Sequence, residues 1–60
     1  MDEVIRDFIG KECVIYTAIA QINGEIVLYS DKWIKVKKDD MYQLVNCDHI
    51  NRIKEVKRKK

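Results

Sequence analysis

Apolar residues along this chain change their period once. Val4, Ile5, Phe8 and Ile9 fall at i, i+1, i+4 and i+5, the spacing of one helical face, with Asp2 and Glu3 before them and Gly10 after. The spacing predicts an amphipathic helix over residues 2–9, its acids at the positive N-terminal end and its glycine at the left-handed stop. Two turns of helix are not stable alone in water, so this one must lie on an apolar surface. From Cys13 onward the pattern is that of short strands. Residues 13–17 and 22–29 are rich in β-branched and aromatic side chains. The reversal between them has two readings. Asn23-Gly24 is a two-residue hairpin signal; alternatively the chain turns near residues 18–21 and Gly24 marks a bend inside the second strand. The second is preferred, for a reason given with the resemblance below.

Asp31-Lys32 opens a third strand in which Trp33, Lys35 and Lys37 share one face while Ile34 and Val36 share the other. Lys38-Asp39-Asp40 reads as a turn, residues 41–45 as a fourth strand and Asn46-Cys47-Asp48 as a tight corner. Residues 50–56 read as a fifth strand, although Ile50, Ile53 and Val56 recur every third residue and leave a helix as the alternative. Proline is absent, so nothing obstructs sheet pairing. The expected fold class is mainly β: a short N-terminal helix, then a small, strongly bent five-stranded barrel whose end strands are free edges. Residues 1–56 form the domain and residues 57–60 a basic tail.

Sixty residues make one domain at most. A chain this short buries only about 60% of the surface its unfolded form exposes, and small domains make up the deficit with disulfides, a metal or a partner subunit. Cys13, Cys47 and His49 are too few for a closed tetrahedral zinc site, so no cofactor or metal is expected. Residues 1–12, with six charged side chains, fit no secretory leader, and no apolar run approaches the ~20 residues of a membrane helix. The expectation is a cytoplasmic protein with reduced thiols and no membrane contact. Self-association is the remedy that remains.

Net charge is +2, but residues 1–31 hold two basic and six acidic side chains, whereas residues 32–60 hold ten basic and four acidic. Four of those basics are the run Lys57-Arg58-Lys59-Lys60, readable as a solubilising tail or as a phosphate-seeking arm. In a ring each copy adds its own basic strand and tail, which concentrates a modest charge into a field.

The whole pattern resembles the Sm-like family, most closely its bacterial, Hfq-like branch. Phe8-Ile9-Gly10-Lys11 ends the helix much as Sm-like domains begin. Gly24-Glu25-Ile26 is similar to the bend glycine of the first Sm motif, which favours the mid-strand reading of Asn23-Gly24. Asp31-Lys32-Trp33-Ile34-Lys35-Val36 is similar to the Asp-x-aromatic-aliphatic end of that motif, and Gln43-Leu44-Val45, a corner and Ile50-Asn51-Arg52-Ile53 follow the second. The resemblance implies a five-stranded SH3-type barrel, ring assembly through the fourth and fifth strands and single-stranded RNA binding. In the Hfq-like branch an aromatic on the third strand stacks a base, and a Tyr-Lys-His corner holds phosphate and uracil. Trp33 matches the stacking position and Lys32 the polar one before it. Asn46-Cys47-Asp48 departs from the corner: it carries no positive charge and adds a negative one. His49 stands one place further on, and in a strand that shift reverses the facing.

Each candidate has a plainer reading. Trp33 can pack against the helix or an interface in place of stacking a base. Lys35 and Lys37 can be a solvated face. Tyr16, Tyr29 and Tyr42 fit core or interface better than stacking platforms. Cys13 fits a small apolar core residue, and Cys47, in a corner, is the candidate exposed thiol, with no base beside it. His49 with Asp48 could be an acid–base pair, but no nucleophile motif accompanies them, so the chain is expected not to be an enzyme. Two functions follow. One is a homo-oligomeric ring of ~five to seven subunits that binds single-stranded RNA through Lys32, Trp33, Lys35, His49, Lys57, Arg58, Lys59 and Lys60. The other is an oligomeric protein-interaction module without nucleic acid.

Overall fold

A computed structural model describes residues 2–57 of the chain. Helix α1 (Asp2–Arg6) precedes five strands, β1 (Glu12–Thr17), β2 (Gln21–Ser30), β3 (Trp33–Lys38), β4 (Met41–Asn46) and β5 (Ile50–Glu55). A 3-10 turn, η1 (Cys47–His49), joins the last two strands. All pairings are antiparallel and the order across the sheet is β4-β3-β2-β1-β5. The helical alternative over residues 50–56 therefore does not form.

The expected barrel is not closed: β4 and β5 are the two ends of one open sheet. In a flat five-stranded sheet those ends would stand about 19 Å apart, at roughly 4.8 Å per strand. A three-residue 3-10 turn rises only about 6 Å, so the sheet must curl until its ends approach. They still do not pair: β4 bonds to β3 and β5 to β1, and each leaves its other edge free.

The curl begins at Gly24. The first half of β2, Gln21 to Glu25, pairs with β1, and the second half, Glu25 to Ser30, pairs with β3. At the exchange of partners β3 crosses close over the glycine. A Cβ on Gly24 would stand 2.7 Å from the Lys37 carbonyl oxygen and 2.7 Å from Val36 Cγ1. No other residue fits. Register slips between Ile26 and Leu28 and again between Tyr16 and Thr17 sharpen the twist further, as bulges do. The reversal between β1 and β2 lies at Thr17–Ala20, where the Thr17 N–H donates to the Ala20 carbonyl at 2.8 Å. Asn23-Gly24 is thus inside a strand, as the preferred reading had it.

Beyond the bend, Ile26 no longer faces β1. Its backbone pairs with the chain leaving α1 instead: Gly10 N–H donates to the Ile26 carbonyl at 2.7 Å, and Ile26 N–H to the Lys11 carbonyl at 3.2 Å. Reaching that position shortens the helix expected over residues 2–9. Past Arg6 the bonds tighten to the i→i−3 type, from Asp7, Phe8 and Ile9 to Val4, Ile5 and Arg6, and Gly10 at φ +86° ends the turn. The core that results holds Ile5, Cys13, Ile15, Ile26, Ile34, Val36, Val45, Cys47 and Ile50, with Phe8, Ile22, Tyr29 and Ile53 packed against it. Half of the helix face, Ile5 and Phe8, meets this core; Val4 and Ile9 stay outside.

Both thiols belong to the interior, so the exposed, reactive reading of Cys47 is corrected. Burial raises the Cys13 thiol above its ordinary pKa of 9.0, with the Glu55 carboxylate adding to the effect. Ionisation therefore favours the unfolded chain. This contribution to stability is intact below pH ~9 and is lost as the pH climbs past it.

Two outcomes test the fold. Gly24→Ala lowers the unfolding free energy by about 2–3 kcal/mol in urea titration, the cost of forcing a methyl into a filled site, whereas Gly10→Ala, with open space around it, costs about 1 kcal/mol for its backbone conformation alone. Melting temperatures at pH 7.5 and pH 10 differ less for Cys13→Ala than for the native chain; an equal difference would refute the burial argument for this thiol.

Candidate nucleic-acid interface

The turn between β2 and β3 is two residues long, since Ser30 pairs directly with Trp33. Both central residues lie at positive φ, Asp31 at 52° and Lys32 at 69°, as a type I′ hairpin requires. Asp31-Lys32 is therefore the turn itself and not the start of β3. Lysine is an expensive choice here, because a side chain in the left-handed region costs about 1–2 kcal/mol that glycine does not pay. The Lys32 carbonyl accepts from the Cys47 N–H at 2.8 Å, which ties the turn to η1. Asn46 caps η1 in turn, its side-chain oxygen accepting from the Asp48 N–H at 2.8 Å. The backbone thus holds Lys32, Trp33, Asp48 and His49 in one neighbourhood.

Beside them is a cleft of about 510 Å³ whose lining mixes Trp33, the polar Asn46, Asp48, His49 and Asn51, and the apolar Ile19, Ile22 and Leu44. Trp33 is 44% exposed. The opposite wall is the β1–β2 loop, stiffened by Thr17, whose hydroxyl accepts from the Ala20 N–H at 3.0 Å and donates to the Ala20 carbonyl at 3.0 Å. Ile19 at the tip of that loop is 95% exposed. Gln43 and Val45 complete the lining, so the cleft follows the free edge of β4.

The outward face of β3 adds a second feature. Trp33, Lys35 and Lys37 lie opposite Asn46, Leu44 and Tyr42 of β4, one row of side chains facing solvent. Lys35 Nζ stands 4.8 Å from the Tyr42 ring centroid and Lys37 Nζ 6.0 Å. Tyr42 is 56% and Leu44 65% exposed. β4 carries no charge at all, yet Asp39 and Asp40 precede it and Asp48 follows it; β5 carries Arg52 and Lys54. Among the described residues the one ion pair is Lys11–Glu55 at 3.8 Å, an exposed contact worth little. Lys32, Lys35 and Lys37 therefore keep their charge unneutralised by any described carboxylate.

Of the residues singled out in the sequence, Lys32, Trp33 and His49 come together. His49 does so because the chain is a 3-10 turn there, so the alternation that would have faced it away does not apply. Asp48 enters the same cleft and brings its negative charge. Lys35 is one step along the outward face. Lys57 is not part of the group: β5 runs from Ile50, beside Thr17, to Glu55, beside Cys13, which carries Lys57 about 20 Å from η1 at roughly 3.3 Å per residue. Arg58, Lys59 and Lys60 lie outside the described residues. The sequence reading missed Ile19, Leu44 and Tyr42. Tyr42 and Leu44 alternate with polar residues like any half-buried strand, and only the edge position exposes them; Ile19 carried a signal, an apolar residue inside a tight turn.

The fold and site define an open five-stranded antiparallel sheet with an aromatic, lysine-bearing face and a cleft at its free edge. No family model, no curated protein and no solved structure matches the chain. Among the described residues no three His, Cys, Asp or Glu side chains are grouped to hold a metal, and no helix is long and apolar enough to cross a membrane.

The strained turn yields a test. Lys32→Gly raises the unfolding free energy by about 0.5–1 kcal/mol in urea titration, because relief at positive φ exceeds the added entropy of the unfolded chain; a loss of stability would show that the lysine side chain holds the turn.

Proposed function

We propose that this chain is the subunit of a homo-oligomeric, Sm-like ring that binds single-stranded RNA as a chaperone or scaffold, without catalysis or cofactor. The observation that carries the reading is the placement of Trp33 and His49 on one cleft, with Lys32, Lys35 and Lys37, on the turn and strand that bear the tryptophan, in no ion pair with a carboxylate among the described residues. An exposed indole beside cations is what a single strand needs: a face for a base and charge for its phosphates. The basic tail, residues 57–60, contributes as a phosphate-seeking arm.

Ring formation draws support from the edges. An uncharged free strand is a template for pairing, since edges are ordinarily protected by charge. Antiparallel pairing of β4 with β5 of a neighbouring copy sets Asp39 and Asp40 toward that copy's Lys57. The charges complement one another head to tail, and head-to-tail contacts close into rings when the rotation permits. A second reading, a protein-interaction module, draws on the acidic Asp48 and the apolar Ile19 and Leu44 in the cleft.

Light scattering on a sizing column is expected to give ~five to seven chains per particle; a compact monomer at micromolar concentration would overturn the assembly. Oligo-U and oligo-A titrated at two salt concentrations are expected to quench the emission of Trp33, the only tryptophan. Trp33→Ala should weaken binding by about 1–3 kcal/mol, the value of one stacked base. Absence of binding at low salt removes the RNA reading and leaves the protein-interaction module.

A further inference from the structure

The cleft takes up Trp33, Leu44 and Asn46 but leaves the end of the outward face of β3 and β4 that carries Lys35, Lys37 and Tyr42. There Tyr42 lies under two lysine ammonium groups, at 4.8 Å and 6.0 Å from its ring centroid, and more than half of the residue remains open to solvent. Neither lysine has a carboxylate partner among the described residues. Leu28 and Leu44 flank Lys35 across the strands, in the cross-strand row Leu28, Lys35, Leu44, and both are more than half exposed. A lone cation over an exposed ring gains only about 0.5–1 kcal/mol. That is too little to explain two unpartnered lysines gathered on one tyrosine between two bare leucines.

We propose that this face is a second contact site for a single-stranded nucleic acid, with Tyr42 as its stacking platform and Lys35 and Lys37 as its phosphate contacts. The proposal rests on the RNA reading above and gives the strand a path. Trp33, Lys35 and Lys37 are alternate residues of one strand, so their side chains step along the face by about 6.6 Å. That step is close to the distance between successive phosphates in an extended single strand. A strand laid along β3 sets one base on Trp33, at the mouth of the cleft, and the base two nucleotides further on at Tyr42, which lies opposite Lys37 about 13 Å along the strand, with Lys35 midway between the rings and Lys37 beside the tyrosine. The ring of Tyr42 presents a π-face to any base, so the ledge adds affinity without base preference. An acidic peptide would meet the same lysines but its carboxylates bring no aromatic plane to stack on the tyrosine ring.

The test uses the full chain and two fluorescent probes, a uridine dodecamer and its thymidine counterpart. Tyr42→Ala is expected to weaken binding roughly 5- to 150-fold, and the Lys35→Gln/Lys37→Gln pair to reduce the slope of log affinity against log salt by about 1.4. Lys11→Gln, whose ammonium group pairs with Glu55 and touches neither Tyr42 nor Trp33, serves as the control and should leave the affinity near the native value. Circular dichroism and light scattering confirm that each variant keeps its fold and assembly. Tyr42→Trp in a Trp33→Phe background places the sole indole on the ledge, and saturating oligonucleotide should quench it. Native binding that Trp33→Ala weakens but Tyr42→Ala does not, or an unquenched indole at position 42, overturns the ledge and leaves the RNA reading standing. A native protein that binds neither probe overturns both. Poly-glutamate competing as well as the oligonucleotide overturns the nucleic-acid assignment in favour of an acidic protein partner.

Discussion

Everything in this fold depends on one close approach, that of β3 to the backbone of Gly24. β2 stands between β1 and β3 but pairs with them through different halves of its ten residues, so it bends where the partners exchange. The missing side chain lets β2 give its first half to β1 and its second half to β3 while the two halves lean over one another. Curling brings Ile15, Ile26, Ile34 and Val36 from three different strands into one interior, and leaves the amide and carbonyl of Ile26 for the segment after α1. The same curl lets three residues of η1 connect the two ends of the sheet. Remove the glycine and the core, the helix dock and the cleft lose their common geometry.

A second constraint comes from size. Nine buried apolar residues among those described are few for a stable domain, and the two outer strands treat their free edges differently. β5 is guarded by Arg52 and Lys54, in the manner of edges that avoid neighbours. β4 has no such guard, and its Met41, Tyr42 and Leu44 are exposed on both faces. An unguarded strand beside acidic turns and a guarded strand rich in cations are unlike halves of one contact. The assembly reading rests on this asymmetry, as the RNA reading rests on lysines left without acids.

The sequence made some levels of this structure more legible than others. Strand positions were readable because residues such as Ile34 and Val36 alternate strictly with lysines, and the composition of each stretch left little choice. The mid-strand role of Gly24 was readable only through a family resemblance, since Asn23-Gly24 is by local rules a hairpin turn. The open sheet was not readable: closure depends on how far the twist accumulates across five strands, and no single residue reports that sum. The cleft was half legible. Trp33 and Lys32 announce themselves by type, but Asp48 and His49 face the cleft together only because a 3-10 turn replaces the pleat. Tyr42 and Leu44 became site residues through position at an edge, which is a property of topology.

The strand order also sets a sequence of events as the chain is made. β1 to β4 are joined by short reversals, so each can pair with its predecessor as soon as it leaves the ribosome. The pairing of β1 with β5 is different, for Cys13 must wait for Glu55, near the far end of the chain. Until then Ile15 and Cys13 lie at an uncovered border, and α1 has no finished surface to rest on. Folding of the sheet therefore closes with a zipper-like step in which β5, translated after the other four strands, completes the interior around β1.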